Sequence, residues 1–266
     1  MTEIHPTAIV ADGAQLGADV TVGPYSIVGA HVELGDGVVL HSHAVIEGRT
    51  KIGSGGSVYP FAVIGHRPQD TKFGGEPSTL VIGERCTIRE HVTMHPGTTS
   101  GDMVTTVGDD CLIMVGAHVA HDCRIGDHVI MANNASLGGH VVIEDHAILG
   151  GMVAVHQFVR IGRHAMIGGA SAVDADIIPY GSVSGDRAHL LGLNLVGLKR
   201  RGFANEEIHA LQKAYRMLFG PEGTLQERLD DVEETYAANG LVSDVIGFAR
   251  ADSHRPICQP RNNRGG

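Results

Sequence analysis

An aliphatic residue recurs at every sixth position of this chain. Ile4, Val10, Leu16, Val22, Val28, Leu34, Leu40, Ile46, Ile52, Val58 and Ile64 form one run, and Ile82, Ile88 and Met94 a second. A third passes from Val107 through Ile113, Val119, Ile125, Met131, Leu137, Ile143, Leu149, Val155, Ile161 and Ile167 to Val173. A period of six fits neither the 3.6 of an amphipathic helix nor the two of a half-buried strand. The repeating unit is therefore one side of a solenoid coil.

A second column supports this. Four residues after each aliphatic position stands a small or β-branched residue, as at Val20, Ser26, Ala44, Ala62, Val92, Thr98, Ala117, Ala135 and Ala147. Between the columns lie residues rich in Gly, Asp, Asn and His, the chemistry of tight turns. Each hexad reads as a short strand plus a corner. With 42% hydrophobic residues, no Trp and 4% aromatics, the interior has to be filled by aliphatic side chains, which suits a narrow prism. The pattern resembles the left-handed parallel β-helix of the hexapeptide acyltransferases. That resemblance, not the period, implies that three corners close a triangular coil of about 18 residues, stacked at ~4.8 Å.

The repeat lapses twice, over residues 66–80 and 95–106, and resumes one residue out of phase at Val107. Insertions in solenoids become surface loops, often on the binding face. The first carries Arg67, Asp70 and Lys72, which read equally well as a solvated loop or as binding groups. After Val173 the hexads fade through Pro179-Tyr180-Gly181, and from about Leu190 the spacing becomes helical. Asn205-Glu206-Glu207 opens a helix with Ile208, Leu211, Tyr215 and Leu218 on one stripe, broken at Pro221-Glu222-Gly223. Thr224-Leu225-Gln226-Glu227 is a capping box for a second helix through Leu229, Val232 and Tyr236, and a last helix is expected from about Leu241 to Ala251. The organisation expected is a β-helix over 1–189, a helical domain over 190–258 and a flexible tail over 259–266.

The net charge of −10 argues against a nucleic-acid partner and means that an anionic substrate needs a local basic patch. Lys199-Arg200-Arg201 is the densest basic run; alone, it also reads as the solvated face of a short helix. The stretch Met1-Thr2-Glu3-Ile4-His5-Pro6 has no basic or apolar leader segment, and no apolar run reaches membrane-spanning length. A cytoplasmic protein without membrane insertion is expected. Cys86, Cys111 and Cys123 fall in the inward small column and Cys258 near the C-terminal end; with no CxxC, packing thiols are favoured over disulfides or a zinc site.

Of the 17 histidines, His31, His43, His91, His128, His140, His146 and His164 share a corner position three after the aliphatic residue, which should point outward as surface decoration. His121 is distinguished by its company. Counted by 18-residue coils, it stacks with Gly139 and Gln157, Asp122 stacks with His140, and His156 follows Gly138. A histidine beside a carboxylate has the parts of a general base, and Gly139 offers an unencumbered N–H to a developing oxyanion. On periodicity alone the cluster is a candidate site and no more. No GxSxG nucleophile motif occurs and Cys123 faces inward, so direct attack by a substrate hydroxyl is favoured over a covalent enzyme intermediate.

Five stretches make the resemblance specific: QDTKFGGEPS (69–78), AHVAHDC (117–123), ANNASLGGH (132–140), GGMVAVHQF (150–158) and NLVGLKRRGF (194–203). They are similar to the UDP-N-acetylglucosamine O-acyltransferases of lipid A biosynthesis, across nearly the whole chain. That resemblance implies transfer of a 3-hydroxyacyl chain from acyl carrier protein to the glucosamine 3-hydroxyl of UDP-N-acetylglucosamine. It implies His121 as general base, Asp122 as its orienting partner and the Gly139 N–H at the oxyanion. It implies substrate contacts by Asp70, Lys72, His95, His118, His140, His156 and Gln157. Asn194, Arg200 and Arg201 would contact the uridine diphosphate and the carrier. It further implies a homotrimer with sites between neighbouring β-helices, and no cofactor beyond the carrier's phosphopantetheine. Two stretches depart from the family pattern: Pro96 where Arg is usual, and Ser184-Gly185-Asp186 where Gln-Gly-Asn is usual. Gly168 and Gly169 are candidates for lining the acyl groove. Three other readings stay open. A related N-acyltransferase would carry a separate N-terminal uridine-binding domain, but hexads here begin at Ile4. A zinc carbonic anhydrase uses the same helix with interfacial histidines, and a non-enzymatic scaffold would use none of them.

Overall fold

The computed structural model describes residues 1–261; 262–266, part of the expected tail, lie outside the described residues. From Glu3 to Val173 the chain winds through short strands that pair in parallel, and the resulting faces hold eleven, nine and eight strands, the first completed by a terminal hairpin. This is the left-handed parallel β-helix that the resemblance implies. Register follows the hexads: Leu40 pairs with Val58, one 18-residue coil later. At the insertions the offset rises to 30 for Val58 with Ile88 and to 25 for Ile88 with Ile113.

Both columns point inward. Val22, Leu40, Ile64, Met131 and Ile161 are buried, as are Ala44, Ala117, Ala147 and the thiols Cys86, Cys111 and Cys123. The first coil is the exception, because no coil covers its outer side: Ile4 is exposed, and Val10 and Leu16 are only half-buried. Corners three residues after the aliphatic take a left-handed backbone, with φ of 54–65° at residues such as Arg85, Asp122, His140 and Phe158. For a non-glycine residue that conformation costs ~1–2 kcal/mol. One buried Leu, Ile or Val per hexad returns roughly 1.5–3 kcal/mol, so the coil tolerates it.

The histidines in that column are not mere decoration. His128, His146 and His164 stack in parallel at 4.7 Å and continue onto Tyr180 at 5.6 Å. Tyr25, His43, Phe61 and His91 form a second ladder on another corner. His164, expected outward, is buried under Phe203. Burial beside Arg201 and His146 pushes its pKa down to about 4.

The far end is closed by a hairpin, Gly181–Ser184 against His189–Leu193. Helices follow: α1 (Leu195–Arg200), α2 (Asn205–Leu218), α3 (Leu225–Tyr236) and α4 (Gly240–Arg250). Two expectations need correction here. Residues from Leu190 continue as strand, so helix starts only at Leu195. Gln259 does not begin a free tail: its carbonyl accepts from the Leu190 N–H at 3.0 Å, and Pro260 bridges Leu190. The capping box forms, Glu227 N–H donating to Thr224 Oγ1 at 3.2 Å and Thr224 N–H to Glu227 at 2.7 Å. Ile208, Leu211, Leu218, Leu229, Val232 and Val245 make the helical core. Tyr180 hydroxyl to Asp244, at 2.5 Å, ties that core to the last coil.

Candidate active site

One corner of the prism collects almost everything the sequence singled out. The chain leaves the nine-stranded face at Ile64, Met94, Val119, Leu137 and Val155 and enters the eight-stranded face at Thr79, Val104, Arg124, Val142 and Arg160. Both insertions therefore rise from this edge, on consecutive coils. His121 with Asp122, Gly139 with His140, and His156 with Gln157 occupy the next three.

His121 Nδ1 lies 2.9 Å from Asp122 Oδ2. Asp122 is buried and heavily bonded: the Thr98 N–H donates to both of its oxygens at 3.1 Å, and Thr98 Oγ1 donates to Oδ2 at 2.7 Å. Its own N–H donates to Thr105 Oγ1 at 2.8 Å. A carboxylate receiving this many donors is the acceptor in the pair, so Nδ1 of His121 carries the hydrogen and Nε2 keeps its lone pair. The imidazole lies directly on Gly139, where an added Cβ would meet Cε1 at 2.6 Å and Nε2 at 2.8 Å. Among the described residues the Gly139 N–H has no hydrogen-bond partner. A base nitrogen and a free donor thus lie side by side.

Around the pair, the neighbouring imidazoles are biased toward their neutral form. His140 stands edge-on to His121 at 5.1 Å, with Nε2 4.0 Å from Asp122 Oδ2. Burial lowers its pKa, while the carboxylates of Asp122 and Asp70 partly oppose the shift. His118 meets His95 edge-on at 5.1 Å and bonds Thr93 Oγ1 through Nδ1 at 2.7 Å; burial lowers its pKa too. His95 is buried with Nδ1 unpartnered among the described residues, and burial beside His118, His66 and His121 pushes its pKa down to about 4. Asp70 reaches this edge from the first loop, accepting the Lys72 N–H at 2.9 Å, and Lys72 itself is exposed. Cys123, directly below, is fully buried with its pKa pushed up to about 12, which disqualifies it as a nucleophile.

Asn194, Arg200 and Arg201 lie elsewhere. Asn194 caps α1 through Gly197 N–H at 3.0 Å and donates to the His164 carbonyl, while Arg201 donates to the His146 carbonyl. With Ile148, Met166, Leu193 and Val196 these residues line an open cleft of about 760 Å³ on the eleven-stranded face, opposite the His121 edge of the same prism.

The similarity to known proteins is extensive. The family model described as UDP-N-acetylglucosamine O-acyltransferase, domain 2, matches residues 176–258, and that of bacterial transferase hexapeptide repeats matches 105–139. The acyl-carrier-protein-dependent UDP-N-acetylglucosamine O-acyltransferase of Bartonella henselae is 48% identical over 98% of this chain and 95% of its own. Its counterpart from Azorhizobium caulinodans is 53% identical over 97% and 95%. This chain belongs to the UDP-N-acetylglucosamine O-acyltransferase family. A crystal structure of a UDP-N-acetylglucosamine acyltransferase superposes with TM-score 0.94 at 38% identity, covering 98% of this chain and all of that one. The Francisella novicida acyltransferase gives 0.94 at 34% identity over 97% and 95%.

Both departures from the family pattern sit at defined places. Pro96 is buried at the base of the second insertion. Ser184-Gly185-Asp186 turns the closing hairpin, with Gly185 at φ +124° and its N–H on Ser171 Oγ. Ligand atoms of His121, Asp122 and His140 come within 4.8 Å of one another, a spacing that a divalent ion could use. Asp122 Oδ2, however, is already engaged by Thr98 and His121. The sequence reading missed Thr98 and Thr105 as the seat of Asp122, and Thr93 as the anchor of His118. Their signal was available: Thr98 and Thr105 are polar residues at inward positions beside a break in the repeat. Also missed were His254 and Arg255, which reach the same edge from beyond α4.

Proposed function

We infer that the protein transfers a 3-hydroxyacyl group from acyl carrier protein to the glucosamine 3-hydroxyl of UDP-N-acetylglucosamine, the opening acylation of lipid A biosynthesis. The observation that carries this reading is the His121–Asp122 pair laid over Gly139, in a chain whose family membership extends over nearly its whole length. Nε2 of His121 takes the proton of the sugar hydroxyl as that oxygen attacks the thioester carbonyl. Asp122 holds the ring and stabilises the imidazolium. The Gly139 N–H faces the oxyanion. When the tetrahedral intermediate collapses, the carbon–sulfur bond breaks and the proton passes from Nε2 to the departing thiolate. The product ester and the free phosphopantetheine thiol balance the step.

On this reading the protein works in the cytoplasm as a homotrimer. On a single prism the cleft that holds Asn194, Arg200 and Arg201 among aliphatic side chains is open, and it lies on the face opposite the histidine edge. Packing the face of one copy against the edge of another brings the two together, with Arg200 and Arg201 meeting the diphosphate. Among the described residues no helix is long and apolar enough to cross a membrane.

The test is transfer itself, with UDP-N-acetylglucosamine and hydroxyacyl carriers of graded length, read by mass spectrometry. His121→Ala should lower kcat by about 10²–10⁴-fold with thermal unfolding unchanged. Activity close to wild type in that variant overturns the mechanism. Activity that disappears on chelation and returns with zinc would favour a metal-dependent reaction at His121, Asp122 and His140.

A further inference from the structure

After α4 the chain returns to the catalytic edge as a strap, pinned on both sides of the exposed His254 and the half-buried Arg255. Asp176, fully buried, accepts Ser253 Oγ at 2.5 Å and Arg160 Nε at 2.7 Å. Its N–H donates to the Pro256 carbonyl and its carbonyl accepts the Cys258 N–H, each at 2.8 Å. Between these anchors His254 packs against Phe158 at 4.9 Å, and Phe158 in turn stacks on His140 at 4.5 Å. Arg255 reaches further. Its Nη2 lies 2.5 Å from His156 Nδ1, and its Nε donates to the Gln157 carbonyl at 3.0 Å.

An arginine can only donate, so this contact decides which ring nitrogen of His156 carries the hydrogen. Nδ1 supplies a lone pair to Arg255, and Nε2 bears the N–H. The 3.3 Å approach of Nδ1 to the Gln157 carbonyl is accordingly a contact between two acceptors, not a hydrogen bond. Ala120 and Gly138 precede His156 in its column and fill little space, and the Gln157 side chain lies under Gly138, 3.0 Å from where a Cβ would stand. From the level of His121 onward, the His156 ring is thus the first large polar group along that column, two coils or ~10 Å away; His95 occupies the same column one coil before Ala120. A fixed donor there suits an oxygen-rich group and not a hydrocarbon chain.

We propose that Arg255 is a positioning residue that locks His156 in its Nε2–H tautomer, presenting a hydrogen-bond donor to an acceptor oxygen of the bound nucleotide sugar. The substrate assignment rests on the transfer reading above; the tautomer does not. The two bonds of the Arg255 fork explain why a point charge would serve less well: lysine can replace one of them but not both.

The full chain, labelled with ¹⁵N, reads the tautomer directly through its histidine ring signals. His156, assigned by its loss in His156→Gln, should show an unprotonated Nδ1 and a protonated Nε2, and Arg255→Gln should mix the two forms. In transfer assays Arg255→Gln should raise the KM for UDP-N-acetylglucosamine about tenfold with kcat changed less than about twofold, and Arg255→Lys should recover part of the loss. In a His156→Gln background Arg255→Gln should cost no more than about twofold further, because the residues act in series. A protonated Nδ1 in the wild type, or an equal loss in both backgrounds, overturns the proposal. A protein that transfers no acyl group refutes the transfer reading, while the ring signals still decide the role of Arg255.

Discussion

At the scale of single residues, Gly139 is required for space more than for backbone freedom. Its φ lies outside the left-handed region, unlike that of Gly116 at +70°, so an alanine would be tolerated by the main chain. What it would not be tolerated by is His121, whose ring occupies the volume of the missing methyl. Gly139→Ala therefore forces the imidazole off its line to Asp122 or tilts it away from the attacking hydroxyl. A displacement near 1 Å of a catalytic group costs about 10²-fold. We expect kcat to fall by that order while the urea midpoint hardly moves. Gly151→Ala is the control, because its added Cβ would meet only the Asn133 carbonyl at 3.4 Å, ordinary contact distance. If both variants lose activity equally, crowding at His121 is not the reason for glycine.

At the scale of elements, the second insertion is the seat of the Asp122 carboxylate. It places Thr98 so that backbone and hydroxyl both donate to Asp122, and it brings Gly101 so close to the carboxylate that any side chain there would collide. Thr98→Val keeps the shape and the backbone donor but removes the hydroxyl. The loss of a hydrogen bond to a buried charge should cost about 1.5–3 kcal/mol of stability, read by urea unfolding, together with a lower kcat. Retained stability would mean that the hydroxyl is not needed to hold Asp122. This element also marks how far the sequence can be read. The hexads are legible because burial admits only aliphatic and small side chains at inward positions, so a column such as Val107 to Val173 announces its own geometry. An insertion obeys no period. Where residues 95–103 fold back is set by hydrogen bonds to Asp122, one coil away, and only a threonine in an inward column hints at it. Within a single coil the corner histidines look like outward decoration, whereas His128, His146 and His164 stabilise one another by stacking between coils. Leu190 to Leu193 read as helix because a leucine-rich run fits both periods, and the strand's other partner, Gln259, lies far along the chain.

At the scale of the whole molecule, the coil puts the two groups of candidate site residues on opposite sides of one prism. His121, Asp122 and Gly139 lie on an edge, whereas Asn194, Arg200 and Arg201 lie on the face across from it. A chain acting alone cannot close both groups on one nucleotide sugar, so the transfer reading requires each site to borrow the basic cleft of a neighbour. Mixing two defective chains tests this. His121→Ala removes the base and keeps the cleft; the double change Arg200→Ala and Arg201→Ala keeps the base and loses the cleft. Each variant assembled alone should be slow at substrate concentrations below KM. If the chains are unfolded together in equal amounts and refolded, about a quarter of the interfaces should pair an intact base with an intact cleft, provided assembly is random. Activity should therefore rise to about a quarter of wild type from two preparations that have almost none. If base and cleft serve a site within one chain, mixing restores nothing, because every chain carries a lesion. Chains mixed without unfolding provide the baseline, and activity that appears only after co-refolding would locate the site between subunits.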